Sequence, residues 1–301
     1  MEKIAFVTGG SGYIGTYLIR QLLVHNYKII AFDIRFSERF VSEFGERVVR
    51  VSGDLQTESL AEALAYYKPT HVYHLAGLKN RTNSIEEFKS SIDVNYKGTL
   101  NLFSALVDCE WLQHIIIMGT TEEYGCAQAP FNEDTREIPH SAYGLSKLAA
   151  TRLALLYNSQ FNLPVTVLRP SIAYGPNQGS EMFLPALINT LKEGKEFNMT
   201  KGEQLRDFIY IDDLIDCIIL SCECNNTIGE ILNVAYGESE ELGEIARYIA
   251  SIVGKIDKLK LGAVPYRRFE IMNYSVNTSK IRNMLNWIPK VSIYEGVKKL
   301  L

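Results

Sequence analysis

One octapeptide constrains this chain more than any other feature. Thr8-Gly9-Gly10-Ser11-Gly12-Tyr13-Ile14-Gly15 stands directly after the apolar run Ile4-Ala5-Phe6-Val7 and directly before a stretch with helical spacing. Glycines at this spacing allow a tight turn, a close approach of backbone to a pyrophosphate and close helix–strand packing, while a helix N-terminus offers free N–H groups and a positive dipole end. Gly9, Gly12, Tyr13, Ile14 and Gly15 are therefore candidate contacts to a dinucleotide. The next strand ends in Asp33, where a carboxylate can accept hydrogen bonds from an adenosine ribose. A free 2′-hydroxyl suits Asp33 and a 2′-phosphate does not, so NAD is the expected cofactor. Arg35 leaves NADP open, because it could swing toward a 2′-phosphate or stand as a solvated charge.

Around this turn the chain alternates short apolar runs with longer amphipathic stretches. Strands are expected at Lys3–Thr8, Lys28–Asp33, Arg47–Ser52, His71–Leu75, His114–Met118 and Pro164–Leu168, and continuous runs such as Ile115-Ile116-Ile117 suit strands covered on both faces. The alternation predicts an α/β fold, a doubly wound parallel sheet of Rossmann type over residues 1–170. Helical character from Ile85 to Leu106 and from Ala142 to Asn158 would cover this sheet, with outer faces able to pair across a dimer axis. After Pro170 the alternation breaks into loops, a helix near Met182–Glu193, a short strand near Phe197–Thr200 and a helix over Asp212–Cys222. Residues 171–301 read as a smaller substrate-binding lobe, with return segments to the sheet, that packs on it to form a cleft.

Composition narrows the class of partner. The 301 residues carry 31 Lys+Arg against 35 Asp+Glu, a balance of −4 that argues against a general nucleic-acid or anionic-membrane binder. The five cysteines are odd in number and lack the paired spacing of a disulfide framework or a zinc site, so no metal is expected. No apolar run approaches a membrane span, and the start of the chain leaves no room for a signal peptide. A cytoplasmic protein is the expectation.

Further along, a set of motifs appears in order: TGGSGYIG, Asp54-Leu55, His74-Leu75-Ala76-Gly77, Asn95 in VNYKGT, Thr120 in GTTEEYG, Tyr143 and Lys147 in YGLSK, and RDFIYIDD at 206–213. Together they resemble the extended short-chain dehydrogenase/reductase family, the NAD-dependent epimerase/dehydratase group, and in particular its nucleotide-sugar branch. The resemblance runs nearly the full length. It implies cofactor contacts at Asp54, Leu55, Leu75, Ala76, Gly77, Lys79, Asn95, Tyr143, Lys147 and Pro170. Read without it, Asp54 would cap the helix that comes next.

The chemistry can be stated physically. Oxidation of a secondary alcohol by hydride transfer needs a base for the hydroxyl proton, and a tyrosine with an ordinary pKa near 10 is too protonated to serve well at neutral pH. Lys147, four residues after Tyr143, shares its helical face, where positive charge favours tyrosinate. The resemblance adds that Lys147 also holds the nicotinamide ribose and that Thr120 orients the substrate oxygen.

Glu122 matches a position at which nucleotide-sugar 4,6-dehydratases carry their base, although epimerases and reductases also carry Glu there. Thr121 stands where dTDP-glucose dehydratases have an acidic partner, and a hydroxyl is the poorer proton donor. Glu123 replaces a usually apolar residue and is expected to face solvent or to be paired. Lys79 resembles the lysine of UDP-galactose 4-epimerases, whereas Ile172 replaces their diphosphate-contacting Asn. For the substrate, the resemblance implies a diphosphate contact at Arg206, with Asp207 as its buttress and a second basic contact from Arg267 or Arg268; Asn177 is either a sugar contact or a turn residue.

The stretch from Gly262 to Pro289 looks like that of enzymes acting at C4 of deoxy- or heptosyl nucleotides. The expected function is an NAD(P)-dependent oxidoreductase at C4 of a nucleotide-diphosphate sugar, a 4-dehydrogenase or 4-ketoreductase of glycan precursor synthesis, working as a homodimer. A 4-epimerase and a 4,6-dehydratase are the nearest alternatives. A non-catalytic dinucleotide sensor is the remote one.

Overall fold

A computed structural model describes residues 2–79, 84–267 and 270–301. The chain runs β1 (Ile4–Thr8), α1 (Tyr13–Val24), β2 (Lys28–Asp33), α2 (Glu38–Phe44), β3 (Val48–Ser52), α3 (Ser59–Tyr67), β4 (His71–His74), α4 (Ile85–Ser91), α5 (Gly98–Leu106), β5 (His114–Met118), α6 (Ala142–Phe161) and β6 (Val165–Pro170). It continues through β7 (Ile172–Tyr174), α7 (Phe183–Lys192), β8 (Phe197–Met199), β9 (Leu205–Tyr210), α8 (Ile211–Glu223), β10 (Ile231–Val234), β11 (Ser239–Glu241), α9 (Leu242–Val253), β12 (Leu259–Leu261), β13 (Asn273–Tyr274), α10 (Ser279–Leu285) and α11 (Ile293–Leu300).

Among the described residues, seven strands form one parallel sheet in the order β10-β6-β5-β4-β1-β2-β3. This is the doubly wound Rossmann arrangement expected from the sequence, with the crossover reversing between β1 and β4. Such a reversal splays the adjoining loops apart and opens a crevice at the carboxyl ends of the strands. Central strand β5 is buried throughout, whereas edge strand β3 is buried only at Val48 and alternates partly exposed and exposed residues beyond it. Phe6, Ile30, Phe32, Leu102, Phe103, Ile115, Ile117, Val165 and Val167 belong to one buried cluster.

The chain divides into two compact units that are discontinuous in sequence. The first comprises residues 1–125, 136–169 and 215–232 and holds most of the parallel sheet; the second comprises 126–135, 170–214 and 233–301. In the second unit β9 pairs with β7 and β13 in parallel and with β11 antiparallel, and a separate parallel pair joins β8 to β12.

One helix departs from expectation. The segment read as continuous from Ile85 to Leu106 is α4, then a π-helical turn over Ile92–Lys97, then α5. Five-residue hydrogen bonding inserts an extra residue per turn and rotates the helix beyond it, and such turns gather at functional sites. Asn95 lies within it.

Candidate active site

The loop after β1 is shaped by its glycines. Gly9 has φ +67°, and a Cβ there would lie 2.7 Å from the Ala76 amide nitrogen, so the loops after β1 and β4 touch only because Gly9 has no side chain. A Cβ on Gly15 would collide with the Gly9 carbonyl oxygen and approach that of Gly10 to 2.8 Å. Gly12 caps α1 with no side-chain hydrogen bond and the first turn carries no acidic residue, which leaves the positive end of the helix open to an anion. Asp33 is held beside this loop: its Oδ2 accepts from the Ser11 N–H at 3.0 Å and the Ser11 hydroxyl at 2.8 Å. Ser11 also donates to the backbone carbonyl of Arg35, a residue whose side chain is exposed. These features fit a dinucleotide with an unphosphorylated adenosine ribose.

The β4 loop is fixed from beneath by a buried polar chain that sequence reading missed. Thr8 Oγ1 lies 2.7 Å from His74 Nδ1, His74 Nε2 lies 3.0 Å from Thr99 Oγ1, and Thr99 donates to the Asn95 carbonyl at 2.6 Å. Burial, together with the Lys147 charge, pushes His74 down to about 3, so it stays neutral. Backbone bonds from Leu75 to Thr8 and from Ala76 to the Thr8 hydroxyl complete the tie. The Asn95 amide donates to the Leu78 carbonyl and to Ser146, and accepts from the Leu78 N–H at 2.7 Å. Its side chain thus clamps the loop carrying Gly77 and Lys79 to α6. Leu55 is buried in the hydrophobic cluster, and Asp54 accepts from the Gln56 N–H in the turn before α3.

At the carboxyl end of β5, three elements converge. Lys147 is buried on α6, and its Nζ donates to the Met118 carbonyl at 2.8 Å. A Cβ on Gly77 would stand 3.0 Å from that nitrogen, so the lysine passes close over the β4 loop. Burial pushes Lys147 down to about 8, against the opposing pull of Glu123. Tyr143, one turn earlier, interacts with the Thr120 hydroxyl, while burial and the Glu122 and Glu123 carboxylates raise its pKa. Thr120 Oγ1 accepts from the Glu122 N–H at 3.2 Å, and the hydroxyl lies against the Tyr143 phenol. Thr121 is buried beside it. Lys79 Nζ lies 2.8 Å from Glu122 Oε1 and 5.4 Å from the Tyr143 ring centre.

The most unexpected side chain is Glu123. It does not face solvent: it is fully buried and paired with Arg169, which is also fully buried. Arg169 reaches Glu137 as well, and Glu137 in turn holds Arg152. The partner stands 46 residues away on β6, so no local pattern could announce the pair.

In the second unit, Arg206 on β9 pairs with Glu270 at 2.6 Å and donates to the Leu205 and Ile271 carbonyls. Asp207 does not buttress it. Alternation along β9 turns the two side chains to opposite faces, and the buried Asp207 carboxylate accepts from the Tyr236 and Gly237 N–H groups and from Ser171. Asn177 is exposed with φ +61°, as a turn residue after Pro176 would be. Arg267 is exposed, Arg268 lies outside the described residues, and Pro170 ends β6.

A doubly wound sheet with a glycine-rich first turn and a Thr/Tyr/Lys set at the end of β5 defines a dinucleotide-dependent oxidoreductase. Residues 5–235 match the NAD dependent epimerase/dehydratase family, and the chain belongs to it. It is 27% identical to the UDP-glucuronate 4-epimerase of Thermodesulfobacterium geofontis over 97% of this chain and 93% of that one. It is 26% identical to the dTDP-glucose 4,6-dehydratase of Haemophilus influenzae, over 97% and 95%. Among solved structures, the UDP-glucuronic acid 4-epimerase of Bacillus cereus, in complex with UDP-glucuronic acid and NAD, superposes with a TM-score of 0.90 at 28% identity, covering 98% of this chain and 97% of that one. The chain is an NAD-dependent enzyme.

Proposed function

We propose that the enzyme transfers hydride between NAD and C4 of a nucleotide-diphosphate sugar, as a 4-dehydrogenase or 4-ketoreductase in the supply of glycan precursors. The observation that carries this reading is the convergence of Thr120, Tyr143 and Lys147 at the end of β5, with Lys147 anchored on the Met118 carbonyl at 2.8 Å. Gly9, Gly12, Gly15 and Asp33 would hold NAD, with Tyr13, Ile14, Leu75, Ala76 and Gly77 around it, and the bound cofactor supplies the hydride acceptor or donor.

Everything else in the reaction belongs to the chain. Thr120 donates its hydroxyl hydrogen to the C4 oxygen and so fixes the sugar's orientation. Tyr143, buried and with its pKa raised, holds its proton across the neutral range. That state suits donation to a C4 carbonyl oxygen as hydride arrives, the reductive direction. Oxidation requires the phenolate, which the neighbouring Lys147 ammonium stabilises.

Nucleotide sugars are the substrates of these relatives, and Thr121, Asn177, Arg206 and Arg267 are this chain's candidate contacts to one. Arg206 already holds Glu270, so a diphosphate would have to share or displace that carboxylate. Exposed Ile85, Phe88, Leu145 and Leu156 on α4 and α6 support a homodimer through these helices, and a monomeric mass at working concentration would contradict it. All five cysteines are free, which supports a reducing cytoplasm as the site of action; recovery in a secreted fraction would contradict that.

Tyr143→Phe tests the central assignment. Hydride transfer should be lost while NAD binding persists, and near-normal turnover would overturn it. A second reading, 4-epimerase, is favoured by Lys79 standing over the Tyr143 ring. A panel of UDP- and dTDP-sugars separates the two: net appearance or loss of reduced nicotinamide marks a dehydrogenase or reductase, and turnover without it marks an epimerase.

A further inference from the structure

Glu123 has no evident reason to be charged. Burying a carboxylate and a guanidinium together is costly in solvation, and such pairs are often replaceable by apolar residues without loss of stability. Yet its carboxylate serves three elements at once. Oε1 accepts from the Thr120 N–H at 2.9 Å, Oε2 accepts from Arg169 Nε on β6 at 2.8 Å, and the Thr151 hydroxyl of α6 lies beside it. With Thr120 Oγ1 accepting from the Glu122 N–H, the contacts form a reciprocal capping box, here sealed inside the protein.

The consequence falls on the substrate contact. The Thr120 backbone is held by Glu123, and the Thr120 oxygen is held by the Glu122 amide, so only the hydroxyl hydrogen remains to be directed. We propose that Glu123 is a positioning residue for C4 chemistry, one that fixes the Thr120 hydroxyl against the sugar oxygen and sets a negative charge behind Tyr143 and Lys147. The inference rests on the hydride-transfer reading and goes beyond it.

The charges around these groups define the expected pH response. Tyr143 faces Glu122 and Glu123, with Lys79 over its ring and Lys147 one turn on. Glu123 faces Arg169, behind which stand Glu137 and Arg152. Removing the Glu123 charge makes the Tyr143 phenolate easier to form and the Lys147 ammonium easier to lose, so the rising limb of the oxidation profile moves to lower pH.

The test compares Glu123→Gln, Glu123→Ala and Glu137→Gln in the NAD-loaded enzyme, on the nucleotide sugar that the wild type turns over. Glu123→Ala, which loses the acceptor for the Thr120 N–H, should lower kcat about tenfold with KM within about twofold, the size of effect expected from one misaligned contact. Glu123→Gln keeps an acceptor of the same shape and should lose less, while moving the oxidation limb down by about half a pH unit. Glu137→Gln touches Arg169 and Arg152 but neither Thr120 nor Tyr143, and should lower the melting temperature with neither change. Wild-type kcat and pH profile in both Glu123 variants, or an equal kcat loss in Glu137→Gln, overturns the proposal. If neither variant folds, Glu123→Asp decides: it keeps the charge but withdraws the carboxylate, so reduced kcat supports positioning and wild-type kcat overturns it. A wild type inactive on every sugar, or an active Tyr143→Phe, is instead a failure of the hydride-transfer reading.

Discussion

Lys79 and Glu122 form an ion pair of 2.8 Å beside Tyr143. The carboxylate that a dehydratase would use to draw a proton from the sugar is thereby already engaged by an ammonium group. Glu122→Gln should therefore leave turnover within about threefold of wild type, the scale of a partly exposed pair worth about 0–1 kcal/mol. A collapse of turnover would restore dehydration. Steady-state rates with reduced-nicotinamide absorbance recorded in parallel decide it.

The close packing at Gly15 makes the cofactor loop sensitive to a single methyl group. Gly15→Ala forces the α1 N-terminus away from the Gly9 and Gly10 carbonyls. NAD affinity should fall at least about tenfold, since misdirected N–H donors forfeit the charge-assisted bonds that an anion needs at a helix terminus. Calorimetric titration with NAD checks this, and an unchanged dissociation constant would refute the proposed cradle.

Lys147 sets an upper pH limit. Its ammonium is pushed down to about 8, so above that pH it loses the charge that stabilises the phenolate. The rate of oxidation should rise with pH as Tyr143 ionises and level off beyond about pH 8, where each gain of phenolate is matched by a loss of ammonium. A profile still climbing at about pH 9.5 would show that Lys147 keeps its proton, as an unshifted lysine does.

Three buried histidines make stability depend on pH. Burial pushes His71 and His114 down to about 4 and His74 to about 3. Below about pH 6.5 the unfolded chain binds protons at these sites that the folded chain refuses, so stability is complete above that pH and is lost as pH falls toward about 4. Each histidine contributes a slope of about 1.4 kcal/mol per pH unit. Asp207, pushed up to about 6 by burial, works in the opposite sense between its ordinary value and about 6 and offsets one of them. Urea midpoints should fall from about pH 7 to about pH 5, and a flat response would contradict the neutral assignment.

Legibility in the sequence tracked the range of the interactions. Strands β1 to β6 were readable because each is a short apolar run, covered on both faces except at the β3 edge, and α6 because its motif and spacing are local. The π-helical turn at Ile92–Lys97 was not readable, since the one-residue phase shift it makes falls between two helices of only seven and nine residues. Strand β10 is a four-residue run with nothing to tell it from a loop in the smaller lobe. The same limit governs the site. Gly9, Asp33, Tyr143 and Lys147 stand in compact motifs, whereas the burial of Glu123 depends on Arg169 and that of His74 on Thr8 and Thr99, all distant in sequence.

The lateness of β10 also bears on how the protein is made. Gly229 donates to the Val165 carbonyl at 2.8 Å and Val167 donates to the Glu230 carbonyl at 2.9 Å, so the outer edge of β6 has no backbone partners until residues 229–234 have left the ribosome. Throughout the synthesis of the intervening segment, the nascent sheet presents an adhesive border to any neighbouring strand. Chains released early, or pausing before Gly229, would be the ones that aggregate.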